Sequence, residues 1–309
     1  MLPAYTPVTV IGLKWHPKAM QIYLANHLAR LENSHQQPLF CTTLALPKMI
    51  YEFCTQTHTG LLRESNEDAV AFDAPSGVAV LADGMGGYNA GEVASSMATA
   101  FIQTELGRWL LDAGLQANGK EVQRAMDICV HNANLAVFTA ANTHLEYEGM
   151  GTTLVVGVFQ ESRLLVGHIG DSRCYRFRNN ALVQITKDHS LLQEQLDAGL
   201  ITPAQAAVSI NKNLVTRALG IEDAVLLEVH EHNVEEGDVY LMCSDGLSDM
   251  VDDAPIARIL ETDALLEQKA RQLISIANAH GGRDNITVLL VHATTGIPKR
   301  GLMSRLLGN

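Results

Sequence analysis

An apolar run that ends in an acid beside glycine recurs along this chain. It reads Val80-Leu81-Ala82-Asp83-Gly84, then Ile169-Gly170-Asp171-Ser172, then Leu241-Met242-Cys243-Ser244-Asp245-Gly246. Gly281-Gly282-Arg283-Asp284-Asn285 sets a fourth acid ahead of an apolar run, and Glu67-Asp68 leads into a short one. Taken singly, each Asp-Gly is ordinary turn chemistry. Taken jointly they ask for more. A turn has no use for Met85-Gly86-Gly87 after it, or for Ser-Asp-Gly at the end of a buried run. Carboxylates at strand ends can converge on one edge of a sheet. Oxygen-only ligation of that kind suits Mg2+ or Mn2+ rather than Zn2+. Two such ions about 4 Å apart polarise a water and a phosphoryl oxygen together.

Other chemistry is weaker. Gly114-x4-Gly119-Lys120 begins like a phosphate-binding loop, but Glu121 follows where Ser or Thr is needed, and the stretch joins two helical patterns. Gly84-Met85-Gly86-Gly87 has Asn89 where a dinucleotide fingerprint needs its third glycine. Neither GxSxG nor HExxH occurs. His168 lies in an apolar run and reads as a packed or hydrogen-bonded histidine. The five cysteines are widely spaced with no CxxC pair, which argues against a zinc site or disulfide framework and for a reducing compartment.

Charge narrows the partners. Residues 49–295 carry 15 basic and 33 acidic side chains. A surface of that sign repels a phosphate backbone, so nucleic-acid binding is not expected. No apolar run approaches the roughly 18 residues of a membrane span, and the N-terminus lacks a signal-peptide pattern. The expectation is a cytoplasmic protein with no stable membrane insertion.

The elements that must position the acids come in blocks. Tyr51–His58 and Gly77–Ala82 read as strands. Ala90–Ala113 reads as a helix with Val93, Met97 and Phe101 on one stripe, and Lys120–Leu145 as another with Val122, Met126, Cys129, Ala133 and Val137 on its face. Short strands follow at Thr152–Phe159, Leu164–Ile169, Arg173–Phe177 and Leu182–Ile185. Their brief links imply antiparallel neighbours. Ser190–Ala198 reads as a short helix closed by Gly199, and Thr202-Pro203 opens another. Strands at Val225–His230 and Val239–Cys243, a helix over Asp263–His280 and a strand at Ile286–His292 complete the pattern. Blocks rather than strict alternation predict an α+β fold with antiparallel sheets. Residues 1–48, with five prolines and one helical stretch at His16–Leu31, read as a loosely ordered extension, 49–295 as the domain and 296–309 as a short basic tail.

The order of the acidic motifs resembles the metal-dependent Ser/Thr protein phosphatases, the protein phosphatase 2C family, in its compact bacterial form. The motifs are Gly60-Leu61-Leu62-Arg63-Glu64-Ser65-Asn66-Glu67-Asp68, Ala82-Asp83-Gly84-Met85-Gly86-Gly87, Gly149-Met150-Gly151-Thr152-Thr153, Gly170-Asp171-Ser172-Arg173, Asp188-His189-Ser190, Ser244-Asp245-Gly246-Leu247-Ser248-Asp249 and Gly282-Arg283-Asp284-Asn285. The resemblance implies a four-layer α-β-β-α sandwich of two antiparallel sheets flanked by helix pairs. It implies that Asp83 bridges two Mn2+ or Mg2+ ions with the Gly84 carbonyl completing one site. Asp245 and Asp284 would hold the first ion; Glu67, with Asp68 beside it, would serve the second. Asp171 with Asp245 and Asp249 resembles a third ion site of bacterial members. Arg63 would clamp the substrate phosphate, and residues 190–215 match the family's mobile flap. Met85 replaces the histidine that animal members carry, so the general acid proposed there is absent.

The resemblance therefore implies hydrolysis of phosphoserine and phosphothreonine in proteins, the products of a Ser/Thr kinase. Attack would be by a metal-bridging hydroxide, without a phospho-enzyme. A non-catalytic phosphoprotein-binding scaffold is disfavoured because Arg63, Glu67, Asp83, Asp245 and Asp284 are all present. An esterase for small phosphates is the third reading.

Overall fold

The computed structural model describes residues 49–87, 90–113, 117–207, 209 and 214–296. The expected extension with its helix at 16–31, nearly all of the basic tail and part of the expected flap lie outside the described residues.

Two antiparallel sheets stack face to face. One has five strands in the order β1 (Met49–His58), β11 (Ile286–Thr295), β10 (Val239–Cys243), β7 (Arg173–Arg178), β8 (Ala181–Gln184). The other has six. Its path is β2 (Asp68–Asp73), β3 (Val78–Met85), β5 (Leu154–Gln160), β6 (Arg163–Ile169), β9 (Glu228–Asn233), with the short β4 (Gly151–Thr152) pairing with the end of β3. Helices α1 (Ala90–Ala113) and α2 (Gly119–Thr143) cover the six-stranded sheet; α6 (Asp253–Glu261) and α7 (Leu266–Ala279) cover the five-stranded one. Short helices α3 (Leu191–Asp197), α4 (Pro203–Ala207) and α5 (Asp245–Ser248) lie in the connections.

Period-two alternation explains the layering, because successive strand residues face opposite sides. In β3, Val78 and Val80 join the core under α1 and α2, while Ala79 and Leu81 join the core between the sheets. In β11, Val288 and Leu290 face α6 and α7, whereas Leu289 and Val291 face inward. Three cores separated by two sheets make four layers, the expected α-β-β-α sandwich.

Some expectations shift. The fully buried stripe of α1 is Ala90, Ala94, Ala98 and Ile102, while Val93, Met97 and Phe101 are half-buried beside it. Small residues on that stripe let α1 approach the sheet closely. The Gly119-Lys120 stretch is a helix start: Asn118 Oδ1 accepts from the Lys120 and Glu121 amides, and Glu121 reaches back to the Asn118 amide. The strand expected at Val225–His230 runs instead over Glu228–Asn233, the helix expected over Asp263–His280 is α7 over Leu266–Ala279, and α6 before it has no counterpart in the expected pattern.

Candidate active site

The acids come from ends of strands in both sheets. Asp68 opens β2 directly opposite Asp83 near the end of β3. The Asp83 backbone is fully committed. Its amide donates to Thr153 Oγ1 at 2.9 Å, and its carbonyl accepts from the Thr153 amide and from Thr152 Oγ1, both at 2.9 Å. Thr153 Oγ1 also meets Ser172 Oγ at 2.7 Å, which ties β3 to the Gly170-Asp171 turn.

Gly84 shows why glycine stands beside that acid. A Cβ there would lie 2.1 Å from the Gly91 carbonyl oxygen and 2.6 Å from that of Glu67. The Gly84 amide donates to the Glu67 carbonyl at 3.1 Å, and Ser95 Oγ on α1 donates to the same oxygen at 2.6 Å. The start of α1, the Glu67 loop and β3 thus meet on a surface with no room for a side chain.

Two anchors carried no role in the sequence reading. Buried Asn285 donates from Nδ2 to the Thr59 and Ser65 carbonyls, both at 2.9 Å, and accepts the Glu67 amide on Oδ1 at 2.7 Å. One side chain so holds the loop that bears Arg63 and Glu67. Ser244 Oγ donates to Asp68 Oδ2 at 2.8 Å and accepts the Thr287 amide at 3.0 Å, joining Asp68 to the other sheet. Either residue type is common in loops, and only its partners reveal its task. Asp284 accepts the Asn285 amide on Oδ1 and Arg63 Nη2 on Oδ2, at 2.8 and 2.7 Å.

The electrostatics show that the acids sense one another. Burial pushes the Asp83 carboxyl well above the usual range, and the charges of Asp68, Asp245, Asp171 and Asp284 push it further. Asp245 is raised likewise by burial, then by Asp171, Asp284, Asp249 and Asp68. Burial takes Asp68 up to about 6 against the pull of its hydrogen bonds, and takes Asp171 up to about 6 with help from Asp188 and Asp249. Glu67 is raised by burial, with Arg63 opposing. Burial pulls Arg63 down, but the charge and hydrogen bond of Asp284 win and raise it.

This donor set fits hard divalent cations. Its side-chain donors are all oxygens, its negative charges outnumber its one arginine, and Asp68 Oδ1 is buried without a hydrogen-bond partner. Exposed Asp249 joins Asp171 and Asp245 in a second acidic group, its amide bonded to the Asp245 carbonyl at 2.8 Å.

Among the described residues, three metal-type donor atoms within 4.8 Å of one another occur at His168, His189 and Glu228 rather than among the acids. That group is organised for hydrogen bonding. His189 Nδ1 accepts the Gly170 amide at 3.2 Å, so Nε2 carries the proton and faces Glu228 Oε2 at 3.2 Å. His168 Nε2 meets the Lys187 carbonyl at 2.7 Å, and its ring stacks on that of His189. His168 is packed and hydrogen-bonded, as expected. The pair straps the Asp171 turn to Asp188-His189-Ser190, where Arg173 also grips Asp188 through contacts of 2.7 to 3.0 Å.

The model of protein phosphatase 2C matches residues 62–285. The chain belongs to this family. The serine/threonine phosphatase Stp of Listeria innocua is 36% identical over 239 residues, 76% of this chain and 93% of the relative. The crystal structure of the Mycobacterium tuberculosis phosphatase PstP is 37% identical, with a TM-score of 0.70 over 79% of this chain and 98% of that one. A structure of the PstP catalytic domain with two manganese ions is 36% identical, with a TM-score of 0.70 over 80% of this chain and 99% of that one. The four-layer sandwich is the protein phosphatase 2C fold. Among the described residues no helix is long and apolar enough to cross a membrane.

Proposed function

We infer that this protein phosphatase 2C member hydrolyses phosphoserine and phosphothreonine in proteins, the products of a Ser/Thr kinase. The observation that carries the reading is the convergence of Asp83, Asp245 and Asp284 from separate strand ends, coupled by charge, with Arg63 hydrogen-bonded into the same group.

Asp83 would serve both of two Mn2+ or Mg2+ sites, and the Gly84 carbonyl would complete one of them. Asp245 and Asp284 would complete the first site and Glu67 with Asp68 the second. Asp171, Asp245 and Asp249 offer a third. Bound there, such ions lower the pKa of water towards neutrality and offset charge on phosphoryl oxygens. The chain itself supplies placement. Arg63 spends one guanidinium donor on Asp284 and keeps others for two phosphate oxygens, the geometry a planar fork favours. Water attacks phosphorus as the bond to the serine or threonine oxygen breaks, giving alcohol and inorganic phosphate.

Among the described residues, the hydroxyl and the thiol that precede Asp245 do not stand ready as nucleophiles. Ser244 Oγ is engaged by Asp68 and the Thr287 amide. Burial pushes the Cys243 thiol up to about 12, and it packs under α6 and α7. Both facts favour direct displacement without a phospho-enzyme. Met85 holds no proton, so that position offers no general acid.

The test is turnover of p-nitrophenyl phosphate and a phosphothreonine peptide with Mn2+, by the full chain and by Asp245→Asn. The variant keeps the side-chain shape and removes one anionic ligand, so kcat should fall at least a hundredfold with circular dichroism unchanged. Turnover of neither substrate by the unaltered chain points to a scaffold. A free nucleotide preferred over the peptide points to a small-phosphate esterase.

A further inference from the structure

A cavity of about 420 Å³ opens beside the strand that carries Asp83. Met85, two residues beyond that acid, forms part of its wall. The rest comes from the segment 215–226, with Val215, Ile221 and Leu226 as apolar lining and Arg217 and Glu222 as charged lining. Ile221 is 48% and Leu226 73% exposed, large apolar surface left open to solvent.

The wall is tied to the acid site through shared backbone. Thr152 and Leu219 exchange amide-to-carbonyl hydrogen bonds at 3.1 and 2.8 Å. Thr152 pairs with Gly84 across the strands and donates its hydroxyl to the Asp83 carbonyl. Ile221 lies against Gly151, where a Cβ would come 2.8 Å from Ile221 Cδ1. Gly151 in turn pairs with Met85. Buried Asn134 fixes the far side, accepting the Gly220 amide and donating to the Glu222 carbonyl at 2.8 and 2.9 Å. The apolar wall is therefore held in register with Asp83 rather than hung on a free loop.

We propose that this cavity receives an apolar side chain of the substrate protein, one or two residues from the phosphorylated serine or threonine. The proposal rests on the phosphatase reading of the acid site and adds a sequence preference to it. The spacing carries the argument. Two residues along a strand cover roughly 7 Å, which is the distance from Asp83 to Met85 along β3. An extended substrate has the same repeat. With its phosphate at the acids, a neighbouring side chain reaches the Met85–Ile221 wall. The lining is mostly apolar, with Thr216, Arg217 and Glu222 as its polar members. An apolar side chain seated against Met85, Val215, Ile221 and Leu226 buries surface there, whereas a polar one would be offered no hydrogen bond by those four. The volume is more than enough for a side chain as large as Leu, Met or Phe.

The experiment measures kcat/KM on phosphothreonine peptides that differ only by Leu or Ser at each of the two positions on either side of the phosphorylated residue. p-Nitrophenyl phosphate serves as a reference with no flanking residue. The full chain should prefer Leu over Ser about tenfold at one position, the scale of one apolar group entering a pocket. Leu226→Ser, a change at an exposed side chain, and Ile221→Ser should each bring that ratio close to one. A ratio of two rates on one variant is unmoved by general loss of folded enzyme. No Leu preference at any position, or one that survives both substitutions, overturns the proposal. Failure to turn over either p-nitrophenyl phosphate or any of the peptides would instead overturn the phosphatase reading.

Discussion

Arg63 Nη2 donates to Asp284 Oδ2 at 2.7 Å, joining the loop before β2 to the residue pair that precedes β11. The two side chains have different tasks in the proposed site, phosphate grip and metal ligation, yet each fixes the other. The pair is partly exposed, with Arg63 at 53% and Asp284 at 27% of their side-chain surface. Its worth to stability is small at such exposure; its worth lies in aiming the guanidinium.

Arg63→Ala should raise KM for a phosphopeptide more than it lowers kcat, because a clamp that holds phosphate about equally before and during displacement contributes uniform binding. Arg63→Lys should recover only part of the loss, since an ammonium cannot present two parallel donors. Steady-state kinetics at saturating Mn2+ decide it. An unchanged KM in the alanine variant removes the clamp role.

Asn285→Ala should damage the site without touching any proposed ligand. It strips the Thr59 and Ser65 carbonyls and the Glu67 amide of their partner at once. Leaving buried backbone groups unpaired costs about 1–3 kcal/mol each. Water reaching the loop offsets part of this, so a loss of about 2–4 kcal/mol in urea unfolding is expected. Mn2+ affinity should fall with it, because Glu67 loses its register. Normal stability with normal metal affinity would show that the loop holds itself.

These anchors also mark where the sequence stopped being legible. Metal chemistry demands acids, so Asp83, Asp245 and Asp284 stood out by residue type at the ends of apolar runs. Asn285 and Ser244 act through geometry alone, and nothing in their identity distinguishes them from loop residues. The blocks of strands and helices were legible, but the four layers came with the family resemblance: β3 and β11 are apolar on both faces, and only the structure shows their residues alternating between two cores. The last strand of the six-stranded sheet was misplaced. Glu228–Asn233 is a polar edge strand, as edges tend to be, while the apolar Val225-Leu226-Leu227 before it is a connection lining the cavity and the core. Helix α6 had its signals in Asp252-Asp253-Ala254-Pro255, acids and a proline at a first turn, which the longer pattern after Asp263 overshadowed.

A chain beginning at Met49 should fold and retain turnover. The first strand pairs with β11 from Met49 opposite Thr295 to His58 opposite Ile286. Its Phe53 ring stacks on Phe72 at 5.3 Å and meets Phe159 edge-on at 5.8 Å, inside the core between the sheets. Every residue proposed for the site lies after it. Thermal melting and p-nitrophenyl phosphate turnover of the shortened chain check this. Insoluble or inactive protein from repeated preparations would assign residues 1–48 a part in the domain.

Metal removal should abolish activity and alter the response of stability to pH. Asp68 and Asp171 sit at about 6 in the fold, above the ordinary aspartate value near 4. A carboxyl raised on folding binds its proton more tightly in the native state. Its contribution to stability is therefore most favourable below the unfolded value and is lost as pH climbs from about 4 through 6. Asp83 and Asp245 are raised further and extend that decline upward. In EDTA the melting temperature should accordingly rise as pH is lowered from 7.5 to 5.5. Mn2+ must displace those protons, so the stabilisation it gives should grow over the same interval in the other direction, small at pH 5.5 and large at 7.5. Melting curves at both pH values, with EDTA and with Mn2+, test the two slopes together. Mn2+ stabilisation independent of pH would show that the ion binds away from the raised carboxyls, and activity that persists after exhaustive chelation would overturn the metal-dependent mechanism itself.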